Sequence, residues 1–182
     1  TYTFHIGRYL VTNTEYARFI EDGGYQERRW WTKQGWKCKE KEDRTQPVYW
    51  GREGYDQPNQ PVYGLLWYEA MAYCAWLTGQ GHSAGWLPHN EIIRLPTSLE
   101  WERAARHTDK RRYPWGDEQP TPDHANYAAT GIGLPSPVGC FPRGAAVCGA
   151  QDMAGNVEEW LATPEGMDEQ QKPQPDFAPY DM

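Results

Sequence analysis

From residue 107 onward the chain loses helical periodicity, and this constrains its fold more than any other feature. RRYPWGDE, HANYAATGIGLPSPVGCFP and DMAGNVEEW are dense in glycine, proline and aromatic residues. Glycine supplies backbone with positive φ, and proline fixes φ and lacks an N–H. Such stretches form turns and short extended pieces rather than long helices or a broad sheet. The chain carries 18 Gly and 15 Pro among 182 residues. It is also 14% aromatic, with 10 Trp, whereas disordered chains are poor in aromatics, so these loops belong to a folded body. The length suits one domain with one core.

Periodic signals lie upstream. The opening TYTFHIGRY alternates well enough for a strand. In VTNTEYARFIEDGGY, Thr12 and Glu15 form a capping box, Tyr16, Phe19 and Ile20 share one face, and Gly23-Gly24 stop the helix. Residues 25–60 read as loop, with the charge run KCKEKEDR as solvated surface. From Trp67 to Leu77 the chain is apolar nearly all round, which predicts a buried helix stopped at Gly79, with Cys74 as a small core residue. IIRL reads as a short strand. Thr97 and Glu100 make a second capping box, opening a short helix whose inner face is Trp101, Ala104 and Ala105. The expectation is an α+β domain of two helices packed on short strands, with long irregular loops carrying function. It covers residues 1–163, and the aperiodic 164–182 reads as an exposed loop or tail.

Composition excludes several roles. A net charge of -7 argues against nucleic acid or an anionic membrane as partner. No apolar run approaches the roughly 20 residues that cross a bilayer. Cys38, Cys74, Cys140 and Cys148 form no CxxC pair and no zinc spacing. They read as separate thiols in a reducing compartment, so a cytoplasmic location is expected, while spacing leaves open a bridge between Cys140 and Cys148. No Ser/His/Asp order suggests nucleophilic catalysis, and TGIGLP lacks the lysine and helix of a phosphate loop. His124 reads as a loop hydrogen-bonder, and RHTDKRR as a solvated helix end. Trp30, Trp31, Trp36, Tyr49, Trp50 and Tyr55 read first as core, with a ligand surface as the second reading.

One segment carries metal chemistry. DMAGNVEEW brings acids and a Gly-Asn turn together. Ca²⁺ takes 6–8 oxygen ligands from carboxylates and from carbonyls in tight turns. Asp152 and Glu159 could flank an ion, with the carbonyls of Gly155 and Val157 presented by the turn. From spacing alone the two acids serve equally well as caps on backbone amides.

VTNTEYARF, QPVYGLLWYEAMAYCAWL, RLPTSLEWERAAR, YPWGDE and DMAGNVEEW, in that order, resemble the formylglycine-generating-enzyme/sulfatase-modifying-factor family from about Ile6 to Trp160. The resemblance implies a C-type lectin-like fold and a calcium site at Asp152, Gly155, Val157 and Glu159, with Trp160 packed beneath. It also implies a second calcium site beginning at Asn126 with the Tyr127 carbonyl. The family includes copper-dependent oxidases that make formylglycine, domains of iron-dependent sulfoxide synthases, and the variable proteins of diversity-generating retroelements. The oxidases carry an active cysteine pair after an RGGSW-like strand, and a longer loop after HAN. Neither is present here. The expectation is therefore a non-catalytic module, similar to retroelement variable proteins, that binds a protein or small ligand on a calcium-stabilised scaffold. No catalytic residue is expected, and a missing C-terminal segment would complete the core. The alternative is a copper-dependent formylglycine-generating oxidase completed by residues beyond Met182.

Overall fold

The computed structural model describes residues 2–162. Its helices are α1 (Asn13–Glu21), α2 (Lys33–Lys41), α3 (Trp67–Ala84) and α4 (Ser98–Arg106). Short 3₁₀ turns lie at 28–30, 128–130 and 142–144.

Both expected capping boxes open their helices. Thr12 accepts the Glu15 amide while Glu15 accepts the Thr12 amide at the start of α1, and Thr97 and Glu100 do the same for α4. The buried helix is longer than expected. α3 runs through Gly79, where the ring of Trp30 lies 3.0 Å from the place a Cβ would take, so this glycine serves packing. The stop is Gly85, in the left-handed region at φ 76, with its amide bonding back to Gly81 and His82 carbonyls. α2 was not expected, because its residues KQGWKCKEK read as surface charge. Thr32 caps it through the Gly35 amide at 3.0 Å, and Trp36 gives it an inner edge against Trp31.

The strands expected at the chain's start and at IIRL do not form. Among the described residues there are two isolated antiparallel bridges, Thr12 with Pro61 and Tyr113 with Gly116. The physical reason is that these segments bond to different loops one hydrogen bond at a time instead of pairing side by side. The Gln151 amide donates to the Arg8 carbonyl at 2.8 Å, and the Ile93 amide donates to the Thr78 hydroxyl of α3 at 2.9 Å.

Two clusters make the core. Tyr16 and Phe19 of α1, Ala72, Tyr73 and Trp76 of α3, and Tyr25 and Trp31 between them form an aromatic block. Tyr16 stacks on Tyr73 at 5.2 Å, and Phe19 meets the same ring edge-on at 5.9 Å. Burial of each large side chain contributes about 1.5–3 kcal/mol. A polar chain runs through this block. Tyr16 shares a hydrogen bond with the Tyr25 hydroxyl, which donates to Glu69 at 2.7 Å, and Arg44 reaches the other Glu69 oxygen at 2.9 Å. Glu69 is 0% exposed, and burial pushes its pKa up while its hydrogen bonds and Arg44 oppose that. The second cluster joins Ala104 and Ala105 of α4 to Ala146, Ala150 and Met153 of the loop region. Glu100 holds its outer side, accepting Tyr2 and both Arg94 guanidinium nitrogens at 2.6–2.8 Å.

Candidate functional site

The site follows from how DMAGNVEEW is folded onto HAN and the second cluster. Met153 anchors it among the alanines of α4 and the loops. Asp152, Gly155 and Asn156 all have left-handed φ, at 58, 85 and 65°, so the segment turns sharply twice. Gly155 is required by space as well as by φ: a Cβ there would lie 2.4 Å from the Asn126 carbonyl oxygen. That approach lets the Asn156 amide donate to the same carbonyl at 2.8 Å. The Asn156 side chain accepts the Ser136 amide at 2.9 Å and donates to the Ser136 carbonyl at 3.2 Å. Asn126 donates to the Leu134 carbonyl at 2.8 Å. The two segments singled out in the sequence are therefore stitched together.

Asp152 is buried, and one of its oxygens accepts the Gly139 amide at 2.8 Å. Burial raises its pKa and that hydrogen bond lowers it. The Glu159 carboxyl is pushed up to about 7, chiefly by burial, with Asp152 adding repulsion and the Trp101 indole opposing it. The Trp101 Nε1 is buried and makes no hydrogen bond of good geometry, so it lies close enough to feel the acid without being satisfied by it. No lysine or arginine pairs with Asp152 or Glu159 among the described residues. Two neighbouring acids without a counter-charge suit a cation. No group of three or more His, Cys, Asp or Glu side chains converges as a metal site among the described residues. The remaining oxygens for a hard ion would have to come from carbonyls, as the turn at Gly155 and Val157 permits.

Trp160 is not beneath the turn. It is 49% exposed and donates to the Leu65 carbonyl at 2.9 Å. In extended chain neighbouring side chains point to opposite sides, so with Glu159 directed inward Trp160 faces out. Trp67 returns the contact by donating to the Leu161 carbonyl at 2.9 Å.

Beside Asn126 and Asn156 lies an open cleft of about 370 Å³, lined also by Tyr55, Tyr63, Tyr127 and Leu134. Tyr49, Tyr55 and Tyr63 pack together at its edge with centroids 4.8–5.2 Å apart. Of the six aromatics weighed in the sequence, Trp31 is core and Trp30, Trp36 and Trp50 pack on it, while Tyr49 and Tyr55 belong to this surface group. The tyrosine group was legible only in part, since Tyr63 and Tyr127 carry no motif.

The cysteines are unpaired thiols among the described residues. Burial pushes Cys74 up to about 12, which makes it an inert core thiol. His124 is a loop residue, stacked on Trp115 at 4.6 Å with its Nδ1 facing Thr121. The helix end at 106–112 is bound locally: Arg106 pairs with Glu102, and Arg111 with Asp109. No described helix is long and apolar enough to cross a membrane.

The model of the sulfatase-modifying factor enzyme 1-like domain matches residues 2–174, and the chain belongs to this family. Among named proteins it is 39% identical to a hercynine oxygenase of Mycolicibacterium thermoresistibile over 97% of this chain and 38% of that protein. It is likewise 39% identical to the hercynine oxygenase of Mycobacterium tuberculosis, over 97% of this chain and 40% of the other. A formylglycine-generating enzyme of Thermomonospora curvata is 32% identical over 87% of this chain and 59% of that protein. The chain thus spans about two fifths of the length of the oxygenases it matches.

These relatives overturn the expected non-catalytic module and its likeness to retroelement variable proteins. The proteins matched along nearly the whole chain carry an enzyme's name. The physical reason for the misreading is specific. Cysteine usage and loop length within this chain bear on one dithiolate copper centre, and they say nothing against other oxygen chemistry on the same fold.

Proposed function

We propose that this chain is the formylglycine-generating-enzyme-like part, with a C-type lectin-like fold, of an oxygenase acting on hercynine. The observation that carries this is the 39% identity to hercynine oxygenases over 97% of the chain. The described residues do not fit a redox metal centre, since no three ligating side chains converge. The ligands of such a metal are expected outside residues 2–162. The part played by this chain is that of a rigid wall. Its loops, held by the Asn126–Asn156 contacts and the aromatic block, would supply one wall of the substrate site, at the open cleft lined by Tyr55, Tyr63 and Tyr127.

Calcium is proposed as a structural ion at Asp152 and Glu159, with the carbonyls of Gly155 and Val157. The unpaired acids support it, because an ion would remove their repulsion and the cost of burying Glu159. Copper chemistry of the formylglycine type is the lesser reading. It rests on the 32% identity to a formylglycine-generating enzyme over 87% of this chain.

Oxygen uptake by the full-length protein tests the proposal. Hercynine and a CxPxR peptide are offered separately, each with and without a thiol reductant, and with iron(II) or copper(I). Uptake that depends on hercynine is expected. Uptake with copper and the peptide alone would give the enzyme to the formylglycine class instead.

A further inference from the structure

We propose that Gln60 is a positioning residue, a strut whose side-chain amide fixes the two sides of the tyrosine cleft relative to each other. That this cleft takes substrate rests on the function proposed above, whereas the strut does not.

The two sides come from distant parts of the chain. Tyr55 and Tyr63 stand on one, and residues 131–135 line the other. All of these lie outside the helices, so no helical bonding sets the gap between them. Gln60 is 5% exposed and does not itself line the cleft. Its Nε2 donates to the Gly54 carbonyl, next to Tyr55, at 2.9 Å and to the Pro135 carbonyl on the far side at 2.6 Å. Its Oε1 accepts the Gln57 amide at 3.0 Å. Two carbonyls and one N–H around a buried group form a set that a carboxamide answers in one orientation. A carboxylate has no hydrogen for the carbonyls, and a hydrocarbon has nothing for any of the three.

The strut has a firm base. The Gln60 carbonyl accepts the Asn13 amide at 2.9 Å, at the start of α1. The Asn13 side chain donates to the Tyr55 and Gln57 carbonyls at 2.8 and 2.9 Å. The near side of the cleft is thereby tied to the first helix of the aromatic block. The two sides also touch where Gln60 joins them: Gly54 has φ 87, and a Cβ there would lie 2.9 Å from a Leu134 methyl. A further bond, from the Val138 amide to the Asn59 carbonyl at 2.8 Å, continues the seam. Removing the Gln60 amide leaves the Gly54 and Pro135 carbonyls short of a donor in a buried place. The loss falls on the seam between the loops and leaves the ring packing of α1 and α3 intact.

Hydrogen exchange and hercynine kinetics on the full-length protein test this in Gln60→Glu and Gln60→Met. Gln60→Met removes the bonds without turning an acid toward two carbonyls, so it keeps the test open if Gln60→Glu does not fold. Residues 54–60 and 131–138 should exchange faster together in both variants, by about tenfold, while α1 and α3 keep wild-type protection. KM for hercynine should rise about tenfold with kcat within about twofold, because the binding surface is loosened and the reacting centre is not. Wild-type exchange at 131–138 would overturn the inference, since a merely local brace loosens 54–60 alone. A wild-type KM in both variants would overturn it as well. If the two segments loosen together while the wild type leaves hercynine untouched, the strut stands and the hercynine reading falls.

Discussion

The half of the molecule around α1 and α3 is held differently from the half after α4. In the first, large rings fill the space: Tyr16, Phe19, Tyr25, Trp31, Tyr73 and Trp76 are buried against one another around a single ionic chain ending at Glu69. In the second, the buried side chains are small. Ala104, Ala105, Ala146, Ala150 and Met153 fill a thin layer, and position is set by hydrogen bonds from Asn126, Asn156 and Asp152. Ring packing is non-directional and tolerates error, whereas amide and carboxylate bonds fix distance and angle. Loops that pair in no sheet among the described residues are better held by the second kind. Its cost is sensitivity to single polar substitutions.

The sharpest way to break this contrast is in the aromatic block. Glu69→Ala should destabilise by about 3–5 kcal/mol, because it leaves Arg44 partly buried without its acid and Tyr25 without its acceptor. Trp31→Ala, removing a side chain 1% exposed, should fall in a similar range of about 3–5 kcal/mol. Chemical denaturation of each variant checks both, and losses under about 1 kcal/mol would mean the block does not dominate stability.

A middle-sized effect is expected where α4 meets the chain's start. Hydrogen bonds from Arg94 hold the Glu100 carboxyl down at about 2, aided by Thr97 and Tyr2. Because the folded value is depressed, this contribution is fully present above the ordinary carboxylate range. It is lost as pH falls from about 4.5 toward 2. Acid melting curves should therefore steepen in that window for the wild type and flatten for Glu100→Gln. At neutral pH Glu100→Gln should cost about 1.5–3 kcal/mol.

Trp160→Ala should have the smallest effect, about 1 kcal/mol or less in denaturant melts. Its half-exposed ring gives the loop region one hydrogen bond to Leu65 and little burial.

Legibility follows local spacing rather than the half of the molecule. The caps of α1 and α4 and the buried face of α3 were plain in the sequence, because they rest on local spacing and side-chain type. α2 was hidden because its lysines outweighed the cap at Thr32. The stop of α3 was misplaced because Gly79 serves packing against Trp30, a contact 49 positions away that no local rule can see. At the site, the choice of residues in DMAGNVEEW announced a tight acidic turn. That Asn156 reaches Ser136, and that Trp101 rather than Trp160 lies by Glu159, depends on how distant loops meet. Function was misread for a related reason: cysteine usage within these residues reports on one metal centre, not on catalysis by a family.

The most direct test of the central claim is the fate of hercynine when the full-length protein turns over under isotopically labelled dioxygen. The account predicts that hercynine is consumed and that its product carries label from the gas. Unchanged hercynine, alongside a cysteine peptide converted to its aldehyde, would contradict it.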